Sequence, residues 1–412
     1  MKVCSPKDSG IEWIGDVPLE WSEQLLKHLV DIRNGCDYKH IEVEDGIPVI
    51  GSGGQFAFAA QKMYDGEVIF LGRKGTIDRP IYYDGPFWAV DTMFYAIPGK
   101  EVEGKFLYYY AMIFPYAKIG TKTALPSMTQ TKLGGLQLMI PKKDIQRGIV
   151  IYLDEKTAAI DARIAVLEKK IAAYRRLRAS IINHTVTRGL DSNVRMKDSS
   201  VDWIGKVPEG WAIKRIKDDY FLKGRIGWQG LKANEFIDEG PWLITGTDFD
   251  NGKIDWSRCY HISEERYRLD LDLQIHEGDL LVTKDGTVGK LAYIDHVPGL
   301  CSLNSHLLLM RPVKRGIDNR FMYWVLSSNV FRHYIEYESN GSTMQSLSQE
   351  AVSRFSYSAP KMEEQLRIAR YLDDECVKID RKVELVAKEI ELYRKLKRSL
   401  VNEVVTGKRK VA

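Results

Sequence analysis

Residues 141–187, PKKDIQRGIVIYLDEKTAAIDARIAVLEKKIAAYRRLRASIINHTVT, return at residues 360–406 as PKMEEQLRIARYLDDECVKIDRKVELVAKEIELYRKLKRSLVNEVVT, at a constant offset of 219 and without a gap. So long an unbroken offset implies a rigid element. Leu153, Thr157, Ile160, Ile164, Leu167, Ile171, Tyr174, Arg178 and Ile181 follow one another in alternating steps of four and three, the seam of a coiled coil. Leu372, Cys376, Ile379, Val383, Val386, Ile390, Tyr393, Lys397 and Leu400 repeat that stripe, including its basic exception. Charges such as Glu168, Lys169 and Lys170 lie off the seam, and neither stretch has a Gly or Pro after its first turns. The spacing predicts two long helices, each extending roughly 65–70 Å at about 1.5 Å per residue. They are expected to pair antiparallel along their seams.

Working outward, the repeat covers the whole chain. DSGIEWIGDVPLEW at residues 8–21 returns as DSSVDWIGKVPEGW at 198–211, so that Trp13 and Trp21 recur as Trp203 and Trp211. GEVIFLGRKGTI from Gly66 matches GDLLVTKDGTV from Gly278, and Phe106-Leu-Tyr-Tyr matches Phe321-Met-Tyr-Trp. The order is therefore domain, helix, domain, helix, with expected boundaries at 1–140, 141–190, 191–359 and 360–412. Each domain carries short apolar runs bounded by turn residues: Ile47–Ile50, Val68–Leu71 and Phe94–Ile97 in the first, Trp242–Thr245, Leu280–Thr283 and Leu307–Met310 in the second. These predict an α+β class: two domains with curved β-sheets, separated by two long antiparallel coiled-coil helices and related by an approximate two-fold axis.

At 412 residues the chain is too long for one ordinary core, and its net charge of +4 neither demands nor excludes a polyanionic partner. Five cysteines, Cys4, Cys36, Cys259, Cys301 and Cys376, show no CxxC or metal-ligand spacing, which points to a reducing, cytoplasmic setting. No apolar run approaches the roughly 18 residues of a membrane span, so no membrane partner is expected. Catalytic signatures are missing as well. GRKGT at Gly72 and GTKT at Gly120 are too short for a phosphate-binding loop, and no GxSxG, HExxH or methyltransferase site is present. No catalytic residue, metal ligand or cofactor is assigned. Asp45, Glu67 and Lys74 can be assembled into a nuclease site on paper, but the second copy keeps only Asp279, among different neighbours.

The chemistry that remains is polar and basic. The turns Gly72-Arg73-Lys74-Gly75-Thr76 and Thr283-Lys284-Asp285-Gly286-Thr287 present cations and backbone amides suited to phosphate oxygens or base edges. An ordinary hairpin turn accounts for the same residues. The polar loops GTKTALPSMTQ from Gly120 and NGSTMQSLSQ from Asn340 occupy matching places before each helix and can both donate and accept, although connectors often have such compositions. Candidate DNA-binding residues are Arg73, Lys74, Thr76, Lys122, Lys284, Thr287, Ser342, Thr343 and Gln345.

With these parts in order, the sequence resembles the specificity subunit of type I restriction-modification enzymes. WIGDVPLEW and WIGKVPEGW, the KGT and DGT turns, and the helices with YLDEK…IDARI…YRRLRASIINHTVT and YLDDE…IDRKV…YRKLKRSLVNEVVT carry the resemblance over essentially the whole chain. It implies two target recognition domains, each reading half of an asymmetric two-part sequence in double-stranded DNA. It also implies helices that set the spacing and dock two modification (methyltransferase) subunits, together with restriction subunits that translocate and cut DNA. S-adenosylmethionine, ATP and magnesium would belong to those partners, and this chain would catalyse nothing. A non-catalytic coiled-coil scaffold binding protein partners is the alternative reading, and a stand-alone nuclease the weakest.

Overall fold

The structure, a computed structural model, describes residues 6–225, 231, 235–338 and 346–411. Two stretches are single helices, Lys143–Arg188 of 46 residues and Met362–Val405 of 44 residues. The chain forms two compact units, Met1–Lys169 with Val386–Ala412, and Lys170–Leu385. The boundary thus falls inside both helices, unlike the four-segment division expected from sequence. The reason is packing: each unit gathers one sheet domain, the first half of the helix that follows it, and the last half of the other helix.

In the first unit Ile69, Phe94, Phe106, Tyr110 and Leu153 share a core with Leu400, Val401, Val404 and Val405 from the far end of the chain. In the second, Ile182 and Val186 join Phe321, Phe331, Ile368, Leu372 and Cys376. The two helix halves in each unit run antiparallel. Arg163 reaches Glu389 at 3.1 Å while Asp161 reaches Lys397 at 2.6 Å, and Arg178 reaches Asp380 at 3.1 Å. Such exposed pairs contribute roughly 0.2–1 kcal/mol each, so they select the pairing while the apolar seam supplies most of its stability.

The first domain holds a seven-stranded sheet in the order Val30–Asn34, Met93–Pro98, Tyr64–Gly72, Ile81–Ala89, Ile47–Gly51, Gly54–Ala59, Glu42–Val43. The second divides the equivalent surface into a four-stranded sheet, Tyr220–Gly224, Leu307–Pro312, Leu280–Thr283, Leu291–Tyr293, and a three-stranded one, Tyr260–His261, Ile237–Ile244, Cys301–Leu303. Shared pairings expose the common plan. Met93–Pro98 lies antiparallel between its neighbours as Leu307–Pro312 does, and one parallel pairing occurs in each, Val49 with Trp88 and Leu243 with Ser302. All six apolar runs expected to be strands lie mainly or wholly within strands.

The recurring tryptophan phrase closes each unit. Its second half folds back on the segment that leads into it, pairing Asp16–Pro18 with Pro6–Asp8 and Lys206–Pro208 with Met196–Asp198. Trp13 meets Tyr110 edge-on at 5.9 Å, and Trp203 meets Tyr334 at 4.9 Å. The second tryptophan sits against the glycine that ends a long helix. Gly407 and Gly189 adopt φ of +74° and +75°, the left-handed stop that glycine reaches without a Cβ penalty. A Cβ there would come within 3.0 Å of the Trp21 ring and 3.2 Å of Trp211. Both tryptophans are nearly fully buried.

Trp21→Ala and Trp211→Ala are each expected to cost about 3–5 kcal/mol. Hydrogen exchange will locate the loss in the unit that carries the substitution, at the last turns of Met362–Val405 for Trp21 and of Lys143–Arg188 for Trp211. Uniform loosening of both units would refute the local closure described here.

Candidate functional site

Each domain brings its basic turn and its polar loop together, although some fifty residues separate them in sequence. In the first, the strand Tyr64–Gly72 ends in Arg73, whose amide donates to Thr92 O at 2.8 Å and whose carbonyl accepts from Met128 N at 2.9 Å. In the second, Lys284 N donates to His306 O at 2.8 Å and Lys284 O accepts from Leu347 N at 2.7 Å. Isolated β-bridges join Lys74 to Ser127 and Asp285 to Ser346. Gly75 and Gly286 bend each turn at φ of +81° and +71°. The turn is therefore the place where sheet and loop meet, which a plain hairpin would not provide.

Side-chain placement separates the candidates. Lys74, Thr76, Lys122 and Thr287 are exposed, while Arg73 and Lys284 are half-buried. The Arg73 guanidinium donates to Asp91 O at 3.2 Å and lies 6.0 Å from the Phe94 ring. None of Arg73, Lys74, Lys122 or Lys284 forms an ion pair among the described residues, so their charge is available to an anion. Thr287 has its carbonyl engaged by the Thr283 hydroxyl at 2.5 Å, and Asp285 lies 3.0 Å from His306 Nδ1. The second turn therefore presents a carboxylate–imidazole pair where the first presents lysine. Ser342, Thr343 and Gln345 lie outside the described residues.

The carboxylates considered for a nuclease serve other purposes. Glu67 accepts from the Tyr82 hydroxyl at 2.9 Å, and buried Asp279 is clamped by Arg311 at 2.7 and 2.6 Å. Among the described residues no group of three or more His, Cys, Asp or Glu is arranged to hold a metal ion.

Two buried polar devices, which the sequence reading missed, position the domains on the helices. Gln146 is fully buried; its amide nitrogen donates to Pro141 O at 2.9 Å and Glu101 O at 3.0 Å, and its oxygen accepts from Glu103 N at 2.8 Å. Gln365 does the same to Pro360 O, Gly316 O and Asp318 N, at 2.9, 3.1 and 2.9 Å. Glu103 and Asp318 cap the aromatic helices Gly104–Ala111 and Asn319–Leu326. About two turns further along each long helix, Asp154 takes Lys105 and the Tyr109 hydroxyl, both at 2.7 Å, while Asp373 takes Arg320 and the Trp324 indole, both at 2.9 Å. Burial, reinforced by Asp154, pushes the Tyr109 hydroxyl well above its usual range, so it remains a donor. The shared offset of Gln and Asp at 219 was the available signal.

Among the seam candidates, Leu153, Leu167, Leu372, Ile379, Val386 and Ile390 are buried, and Ile160, Ile164, Ile171, Tyr174, Val383 and Tyr393 are half-buried. The basic exceptions find carboxylates across the pair, Lys397 on Asp161 and Arg178 on Asp380, positions related by the same offset. Off the seam, Val166 and its equivalent Leu385 are 56% and 57% exposed, and Leu177 and Leu396 are 48% and 53% exposed. Apolar side chains repeated at equivalent exposed positions form a surface that gains by being covered.

Two outcomes check these assignments. Gln146→Leu leaves buried backbone groups without partners, at about 1–3 kcal/mol for each orphaned group, read by denaturant unfolding. Burial pushes the Cys376 thiol up to about 11, so it will resist alkylation in the folded chain while exposed Cys36 reacts; equal rates would mean that the seam opens readily.

Comparison with known proteins follows the repeat. Residues 18–171 and 208–391 match the sequence profile of the family described as type I restriction modification DNA specificity domain. The chain is 23% identical over 428 residues to an inferred type I restriction enzyme specificity subunit, MjaX, of Methanocaldococcus jannaschii, covering 97% of this chain and 96% of that one. It is 21% identical over 378 residues to the EcoBI specificity subunit of Escherichia coli, covering 86% and 78%. A solved chain from work on complex assembly and conformational transition of the type I R-M system shares the fold at a TM-score of 0.70, with 16% identity over 95% of this chain and 99% of that one.

Proposed function

Because this chain belongs to the type I restriction-modification DNA specificity family, we propose that its two sheet domains are target recognition domains, each reading one half of an asymmetric duplex DNA sequence. The observation that carries this reading is the repeated turn–loop site, whose cations are unpaired among the described residues. A common backbone frame holds Arg73, Lys74, Thr76 and Lys122 in one domain and Lys284, Asp285 and Thr287 in the other. Equal frames with unequal side chains suit two different half-sites, since base edges are distinguished by donor and acceptor pattern and phosphates by charge.

The long helices set the separation of the half-sites and dock two modification subunits, one at Val166 and Leu396, the other at Leu177 and Leu385. The assembled enzyme would also take restriction subunits, and the chain would work in the cytoplasm as their non-catalytic reader. S-adenosylmethionine, ATP and magnesium would be held by the partners.

The decisive experiment replaces Thr121–Ser127 in the complex formed with the modification subunits, followed by mapping of methylated adenines. One half of the target is expected to change while the other half and the gap stay as they were. An unchanged target refutes the assignment. Lys74→Ala is expected to weaken duplex binding across sequences and lower the slope of log affinity against log salt by about 1, measured by fluorescence anisotropy. A coiled-coil scaffold for protein partners would show neither effect.

A further inference from the structure

The unit Lys170–Leu385 contains a groove of about 990 Å³ distinct from the turn–loop site. One wall is the end of the first long helix, from Arg175 and Arg176 through Ser180 and Asn183 to Arg188. The facing wall is the start of the helix Asn329–Glu338, with Arg332 and His333. No aspartate or glutamate lines it. Arg175, Arg176, Arg188 and Arg332 form no ion pair among the described residues; Arg332 meets the Asn329 side chain of its own helix. Asn183 is held in place by the Asn329 amide, which donates to its Oδ1 at 2.6 Å.

The other copy shows that helix packing does not require this bare positive charge. The offset of 219 places Arg394 at the position of Arg175, and there it is paired to Glu391 at 2.6 Å and Glu168 at 3.2 Å. The hollow beside Arg394 in the first unit, about 340 Å³, is lined by Asp78 and Asp161 beside its cations. Four uncompensated guanidinium groups on a concave surface repel one another and focus a positive field outward, which favours a polyanion.

Its position says which polyanion. A second hollow of about 750 Å³ shares Ala179, Asn329 and Arg332 with the groove, carries one carboxylate, Glu336, and is lined at its other side by Val288, Gly289 and Lys290, just past the Lys284–Thr287 turn. The two hollows form one track from the reading turn to the arginines. From Arg175 to Arg188 the helix extends about 20 Å at 1.5 Å per residue, long enough to follow several phosphates of one strand. Resting on the DNA-reading assignment above, we propose that this groove is a second, sequence-independent DNA site, which grips the phosphate backbone flanking the half-site read by the second domain. Arg175, Arg176 and Arg332 supply the charge, and Ser180 and Asn183 supply neutral hydrogen bonds.

The test uses the full chain and a labelled 40-base-pair duplex of arbitrary sequence, with affinity measured across a salt series. Arg175→Gln, Arg176→Gln and Arg332→Gln together are expected to lower the slope of log affinity against log salt by about 2–3, since each lost phosphate contact removes about 0.9. Ion-paired Arg394→Gln is expected to change it by less than about 0.5 on the same scale. Wild type binding with an unaltered slope in the triple variant overturns the groove and leaves the reading domains intact. No duplex binding by the wild type overturns both. A photo-crosslinker on Ser180→Cys, compared with the same reagent on the unsubstituted chain, whose exposed Cys36 also reacts, provides a readout independent of the triple variant's folding: labelling of DNA above that background supports the groove, and labelling at background refutes it.

Discussion

One buried amide in each unit fixes the relation between recognition surface and helix. Gln146 and Gln365 have their donors and acceptors satisfied by backbone that precedes the helix and by backbone that caps the aromatic helix. Apolar packing alone would tolerate sliding, because dispersion and burial are non-directional. Three hydrogen bonds from a planar amide do not tolerate it, because a shift strands buried polar groups. Asp154 and Asp373 then fix the rotation of the aromatic helix, and with it the sheet behind it. The loop, whose Met128 shares the core of the aromatic helix, inherits its position from these contacts.

The two units share this frame but differ at the turn. Backbone hydrogen bonds from Arg73 and Lys284 repeat almost atom for atom, while the side chains around them diverge from lysine to a carboxylate–imidazole pair. Backbone geometry can be kept while side-chain chemistry changes because the turn needs only one glycine in the left-handed region and a strand to start from. This separation lets a family retain one scaffold and vary what it reads.

Charge follows the same division. A net charge of +4 over 412 residues says little about partners. Local arrangement is informative: Arg394 is neutralised by Glu391 and Glu168, whereas Arg175 at the related position lines a groove with Arg176 and Arg188 and without any carboxylate. Cations related by the repeat therefore serve different ends, helix pairing in one unit and an open positive surface in the other.

Much of the fold was legible in residue spacing. The gapless offset of 219, the four-and-three stripe and the absence of Gly or Pro determined two long helices, because helix periodicity is a local property. Runs such as Leu280–Thr283 and Leu307–Met310 marked strands for the same reason. Spacing also located the turns and polar loops, yet it could not show that they meet, since Lys74 and Ser127 are joined only once the sheet has formed. Nor could it reveal Gln146, Asp154 and their counterparts, whose importance lies in burial, or assign half of each helix to each unit. Those features depend on long-range packing and on which polar groups lose water together, and only the tertiary structure decides that.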